Sequence, residues 1–304
     1  MSCSKKTKFL PYGRQKIEAD DFDAVMDVLN SDFLTTGPKV EEFETEFCKV
    51  TGARETIVCG NGTQALHLAC MATELTEEDW VIVPAITFLA TANAARYCGA
   101  NIIFADVDPE TGLLTAETFQ SAIDNNKDKN IKAVFPVHLA GQTVNLTDIR
   151  QIADKYNLKI IADSCHALGT RYLETQVGAC VYEDFATFSF HPVKTIAMGE
   201  GGAVTTNNSE IADRLRKLRS HGMIPTPDVG PWAYEMPELG YNYRASDIHC
   251  ALGISQLKKL DRFVDRRREL ANLYDELLTP FNPIIKVPRR VPNCNPAWHL
   301  YAVR

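Results

Sequence analysis

Short, nearly continuous apolar runs alternate along this chain with longer segments in which apolar positions recur every three or four residues. The runs at 56–59, 81–84, 102–105, 133–137, 159–162 and 185–190 read as strands. They are too short for helices and too apolar for strands exposed on one face. Between them, 20–30, 40–50, 116–125 and 146–156 carry helical periodicity, as do the stretches after Gln64 and up to Cys98. In the first of these, Phe22, Val25, Met26 and Leu29 fall on one face, which the pattern assigns to the core. Near the end, 246–263 and 266–278 read as two more helices. Strands alternating with amphipathic helices predict an α/β fold with a mostly parallel central sheet, whose ligands bind beyond the carboxyl ends of the strands.

Composition narrows the class without changing the fold. The chain has 304 residues, 45% hydrophobic and 23% charged, ample for a sizeable core. A formal net charge of -7 argues against a nucleic-acid surface. The one basic run, Arg266-Arg267-Arg268, reads as one face of a helix. No apolar run approaches membrane-spanning length. The N-terminal Lys5, Lys6 and Lys8 have no apolar core after them, so the start does not read as a signal peptide. Nine cysteines lack CxxC and zinc-ligand spacing. Free thiols in a reducing cytoplasm, and no metal, are the expectation.

Three features carry chemistry. Lys194 stands between the strand 185–190 and the glycine turn Gly199-Glu200-Gly201-Gly202, a place suited to a lysine that forms a Schiff base. Gly60-Asn-Gly-Thr-Gln64 follows a strand and opens a helix, a geometry that cradles phosphate through free N–H groups and the helix dipole. Asp163 lies just past the strand 159–162, where a carboxylate would hold a pyridinium nitrogen protonated and let the ring of pyridoxal phosphate accept electrons. Each has a plainer reading: a surface-loop lysine, an ordinary turn, a helix-capping aspartate. In this order within one α/β frame they form a constellation.

The motifs Gly60-Asn-Gly-Thr-Gln-Ala-Leu-His-Leu-Ala69, Pro84-Ala-Ile-Thr-Phe-Leu-Ala-Thr-Ala-Asn93, Asp163-Ser-Cys-His-Ala-Leu-Gly169 and Phe188-Ser-Phe-His-Pro-Val-Lys194 resemble the DegT/DnrJ-type sugar aminotransferases. These are fold-type I enzymes dependent on pyridoxal 5'-phosphate. Segments 11–15, 31–38, 136–142 and 220–222 look most like the branch serving pseudaminic acid biosynthesis, which aminates C4 of a UDP-linked 4-keto-6-deoxy-N-acetylhexosamine. The resemblance implies that Lys194 carries the cofactor, Asp163 holds its ring nitrogen and Phe88 stacks on the ring. It places Gly62, Thr63 and Ser189 on the phosphate, with His166 beside the 3-oxygen. Asn242 would reach the phosphate from the other subunit, implying a homodimer. Partners are then a nucleotide sugar and an amino-acid donor, glutamate by resemblance. The loops 11–15, 31–38 and 138–142 would surround the sugar. Taken without the resemblance, Phe88 also fits ordinary core and His166 a packing histidine.

The resemblance implies a large cofactor-binding unit over 1–265 and the start of the family's small C-terminal domain over 266–304, and that small domain is where the chain departs. Residues 297–304 read as an early strand of that domain and the sequence stops there, so truncation is expected. Apolar surface around Leu277, Phe281, Ile284 and Ile285 should then be exposed. Dehydratases of the same family replace the Schiff-base lysine with histidine, and some add an iron–sulfur cluster. Lys194 and the cysteine spacing favour transamination over that alternative. A cofactor-binding protein without turnover is the alternative from another class.

Overall fold

In the computed structural model, which describes residue 9 and residues 11–304, two helices precede the sheet: α1 (Ala19–Leu29) and α2 (Pro38–Thr51). Cys3, Lys5, Lys6 and Lys8, on which the reading of the N-terminus rests, lie outside the described residues. Strand and helix then alternate through β1 (Glu55–Cys59), α3 (Gly62–Ala72), β2 (Trp80–Pro84), α4 (Leu89–Tyr97), β3 (Asn101–Ala105), α5 (Ala116–Asp124), β4 (Ile131–Val134), α6 (Leu146–Lys155) and β5 (Lys159–Asp163). A short hairpin, β6 (Arg171–Tyr172) and β7 (Thr175–Gln176), leads to β8 (Phe185–Ser189), β9 (Gly202–Thr206) and α7 (Ser209–Arg219). A second hairpin, β10 (Ile224–Pro225) and β11 (Tyr234–Glu235), precedes α8 (Asp247–Leu257), α9 (Leu260–Leu278) and β12 (Cys294–Asn295). No helix among the described residues is long and apolar enough to cross a membrane.

Seven strands form one sheet in the order β1-β9-β8-β5-β4-β2-β3. The pairs β2/β3, β2/β4, β4/β5 and β5/β8 are parallel, while β9 runs against both β8 and β1. The mostly parallel sheet is therefore as the pattern predicts. Strand β9 and helix α7 escape it. Gly-Ala-Val-Thr-Thr offers no large side chain to mark a strand, and the apolar positions of α7 are diluted by charge. At β5 the connections change direction: its neighbour on one side, β4, precedes it in the chain, and its neighbour on the other, β8, follows it. That reversal creates the crevice in which open α/β sheets bind ligands.

Strand β8 is held where it leads to the lysine loop. Phe43 and Phe47 of α2 are fully buried, and the Phe190 ring meets both edge-on at 5.4 Å. Such aromatic contacts contribute about 0.5–1.5 kcal/mol each beyond area burial. Pro38 at the first helical turn and Gly52 in a left-handed C-cap fix the ends of α2.

Several expectations need correction. Helix α1 turns Phe22, Met26 and Leu29 outward and buries Asp21 and Val28 instead. The cause is polar: Lys259 Nζ lies 2.8 Å from Asp21 Oδ1, and Gln256 Nε2 donates to Asp21 Oδ2 at 2.8 Å. The helix expected over 246–263 divides at Lys258–Lys259 into α8 and α9. Helix α9 runs from Leu260 to Leu278 and so carries both residues 265 and 266. Arg266, Arg267 and Arg268 do not share a face, because successive helical residues point about 100° apart. Arg266 pairs with Glu269, Arg267 donates to the carbonyls of Trp298 and His299, and Arg268 donates to those of Gly169, Asn295 and Pro296. Residues 297–304 are not a strand. Trp298 takes a left-handed φ of 49°, and Arg304 exchanges backbone hydrogen bonds with Lys286. Leu277, Phe281 and Ile284 are exposed as expected, whereas Ile285 is half-buried.

Candidate active site

The crevice beyond β5 and β8 opens into a cavity of about 1010 Å³. Gly62, Thr63, Phe88, Asp163, His166, Ser189 and Lys194 all line it. Seven positions far apart in the chain thus share one space. Asn242 is not among them: it is exposed, on a stretch that bridges Ser220. Within a single chain it does not reach the cavity.

Asp163 ends β5 with only 6% of its surface exposed. One oxygen, Oδ2, accepts a 2.7 Å hydrogen bond from the Thr91 hydroxyl, and Oδ1 accepts the backbone N–H of Cys165 at 3.2 Å. These donors fix the orientation of the carboxylate. Thr91 is a site residue that sequence reasoning passed over. Its signal was its place in the first turn of α4, within reach of a buried strand end. Beneath lies His138, fully buried with neither ring nitrogen partnered. Burial pushes it down to about 4 against the pull of Asp163, so it is neutral.

The phosphate end is built by α3. Asn61 caps the helix, its side chain accepting from Gln64 N–H at 2.9 Å, which leaves the N–H groups of Gly62 and Thr63 at the mouth of the turn. A Cβ on Gly62 would come within 2.8 Å of Ser189 Cβ and 3.2 Å of Cys165 Sγ. Helix N-terminus and serine hydroxyl therefore approach as closely as glycine permits, leaving a cradle sized for an anion. Gly62→Ala is expected to weaken binding of the phosphate-bearing cofactor about tenfold or more, through roughly 1–3 kcal/mol of overpacking. Titration of the cofactor-free protein by absorbance measures it.

Lys194 follows the turn that its own N–H closes on His191 carbonyl at 2.8 Å. It also borders a second cavity of about 880 Å³, lined by Arg14, Lys16 and Arg262, Arg266 and Arg267 of α9. Phe88 is 67% exposed, so it is not core; its ring stands at the cavity wall with one side open. His166 Nδ1 accepts the backbone N–H of Ala140 at 3.3 Å, which places the ring proton on Nε2. Burial and the neighbouring Lys194 push it down to about 4, so it is an uncharged donor.

The loops expected around the sugar divide. Tyr12 reaches the cavity, and Arg14 and Gln15 the adjoining one. None of residues 31–38 lines the main cavity among the described residues. In 138–142, Leu139 lines the main cavity, while His138 and Gln142 are buried and Gln142 is occupied by Arg289 carbonyl and Val291 N–H. A buried polar side chain satisfied by backbone has no capacity left for a ligand. His299 and Leu300 line the cavity from a run that had read as a strand. A lone histidine inside the apolar Ala297-Trp-His-Leu-Tyr301 was the available signal.

The residues present fit pyridoxal phosphate: a donor cradle closed to any Cβ, an oriented carboxylate opposite it, and one lysine between. Comparison with known proteins agrees. The family model for DegT/DnrJ/EryC1/StrS aminotransferases matches residues 15–304. A UDP-4-amino-4,6-dideoxy-N-acetyl-beta-L-altrosamine transaminase of Campylobacter jejuni subsp. jejuni serotype O:2 is 40% identical over 280 residues, covering 91% of this chain and 72% of the relative. The structure of Helicobacter pylori PseC, an aminotransferase involved in the biosynthesis of pseudoaminic acid, superposes with TM-score 0.88 at 31% identity, over 97% of this chain and 77% of that one. The putative sugar aminotransferase Spr1654 from Streptococcus pneumoniae, solved in its PMP form, gives TM-score 0.90 at 27% identity over 97% and 79%. With the sheet, the cradle and the lysine each where such an enzyme needs them, the chain belongs to the DegT/DnrJ/EryC1/StrS aminotransferase family.

Proposed function

We propose that this aminotransferase uses pyridoxal phosphate to aminate C4 of a UDP-linked 4-keto-6-deoxy-N-acetylhexosamine, with L-glutamate as donor. The observation carrying it is the joint placement of Asp163 and Lys194 on one cavity headed by the N-terminus of α3. The cofactor, when bound, supplies an electron sink that stabilises negative charge at the carbon losing its proton. The chain's own residues do the rest. The Gly62 and Thr63 N–H groups and the Ser189 hydroxyl bind the phosphate. Asp163, fixed by Thr91 and Cys165, holds a proton on the ring nitrogen. Phe88 provides a flat apolar wall. Lys194 Nζ, which lines the same cavity, would take a proton from and return it to the reacting carbon. The sugar assignment is supported by the named transaminase from Campylobacter jejuni and by Helicobacter pylori PseC.

The reading includes a homodimer, in which Asn242 of one copy completes the phosphate site of the other. Its exposure, its absence from the lining of its own cavity, and the outward Phe22, Met26, Leu29, Phe33 and Leu34 support it. Amination of the UDP-N-acetyl sugar should exceed that of dTDP-4-keto-6-deoxyglucose, which lacks the N-acetyl group, by about four powers of ten in kcat/KM. Equal or better use of the dTDP sugar would leave only the broader sugar-aminotransferase assignment standing.

A further inference from the structure

His299 has no role in the chemistry described above, yet the chain takes trouble to place it. The preceding residue, Trp298, is buried with φ of 49°, a conformation costly for a bulky residue that persists only where its surroundings impose it. Those surroundings are visible. Arg267 Nη1 donates to the carbonyls of both Trp298 and His299 at 3.3 Å. The next residue, Leu300, donates its N–H to Ala140 carbonyl at 3.4 Å. Ala140 is itself left-handed, with φ of 59°, and its own N–H is the donor to His166 Nδ1. Gly141, φ 95°, passes so close that a Cβ would lie 2.9 Å from Trp298 N, 3.0 Å from His166 carbonyl and 3.1 Å from His299 N.

The result is that the His299 ring lies on the His166 ring, centroids 4.2 Å apart and planes 34° from parallel. His299 is 8% exposed, and its Nδ1 is sealed without a partner. A sealed nitrogen lacking an acceptor is better left unprotonated, since a buried N–H without a partner costs more than an idle lone pair. His299 therefore offers His166 a flat uncharged wall.

We propose that His299 is a positioning residue: it covers one face of His166, excludes water there, and keeps that imidazole uncharged with its proton on Nε2, aimed as a donor at an anionic oxygen in the cavity. Protonation of His166 would put a second charge beside Lys194 and weaken the preference for a donor of fixed tautomer. The groups facing the pair are Lys194 from the loop after β8, Asp163 from the end of β5 and Arg267 from α9. Lys194 and Arg267 disfavour a charged imidazole here, and Asp163 favours one. Burial adds to the first, and pushes His299 lower still than His166.

The inference rests on the reading of this cavity as the cofactor site, so its decisive readout uses protein without cofactor or sugar. Ring nitrogen NMR of selectively labelled histidine follows the titration and tautomer of His166 in the parent, His299→Ala and His299→Phe. Opening the wall in His299→Ala should raise the His166 midpoint from about 4 toward the ordinary value of about 6.5 and mix its tautomers. His299→Phe keeps a flat cover and should leave the midpoint low. In the loaded enzyme, the acid limb of kcat should move up with His299→Ala and stay near the parent with His299→Phe, KM changing little in either. An unmoved His166 titration in His299→Ala overturns the proposal. So does a Phe variant that titrates like Ala, because the wall would then not be what matters. If His299→Ala fails to fold, the Phe variant alone decides: a raised His166 midpoint refutes, a low one supports. Neither result touches the sugar assignment.

Discussion

Lys194→Ala is expected to lower amino-group transfer by about four powers of ten or more, the scale on which loss of a reacting group that works in concert with its neighbours is felt. No other amine shares the main cavity among the residues lining it, so nothing nearby substitutes. The variant should also lose the visible absorption band that a lysine-linked cofactor gives, while the phosphate cradle still binds the cofactor reversibly. Folding should survive, because the Lys194 side chain is half-buried and carries no hydrogen bond or ion pair that the fold depends on. Parent and variant spectra, with single-turnover kinetics, read all three. A variant keeping the parent's spectrum would remove Lys194 from the chemistry altogether.

Asp163→Asn tests charge separately from shape. The amide would keep its oxygen on the Cys165 N–H, and its NH₂ would donate to Thr91 Oγ1. The Thr91 hydroxyl would then donate its hydrogen bond to Thr87 Oγ1, 2.7 Å away. Every polar group stays satisfied, so stability should hold. What is lost is the negative charge that keeps the ring nitrogen protonated. Turnover should fall by about two to three powers of ten, comparable to removal of one preorganised electrostatic contact. Cofactor should still be retained in substantial part. Turnover near the parent's, with thermal stability unchanged, would show that Asp163 only orients the loop.

How much of this was legible in the sequence depended on whether a signal was local. Strands β2, β3 and β5 announce themselves as apolar runs, and the cradle announces itself as glycine, polar residue, glycine before a helix. Seven of the proposed site residues converge on one cavity, since strand ends bring them there whatever the intervening loops do. The misses have another character. Periodicity marks which residues of α1 are alike but not that Lys259, far along the chain, would draw Asp21 inward. It cannot tell a polar loop facing a ligand from one, like Gln142, satisfied by distant backbone. Nor does an apolar run such as 297–301 reveal that two left-handed residues would fold its histidine onto another.

The position of β1 in the sheet has a consequence for the order in which the molecule can assemble. β1 and the cradle that follows it lie early in the sequence, yet β1 pairs only with β9, from Glu55 opposite Thr206 to Cys59 opposite Gly202. The Arg54 N–H bond to Asn207 Oδ1 closes the same seam across 153 positions. Ligation between segments so distant in sequence raises contact order and slows folding, since the closure entropy comes before the reward. On the ribosome, at about 5–20 residues per second, the edge bearing the phosphate cradle waits many seconds for its neighbour to emerge. Cofactor capture by the nascent chain is thus a late event, coupled to the closing of that seam. Conditions that fray β1 from β9 should release cofactor before the parallel half of the sheet yields.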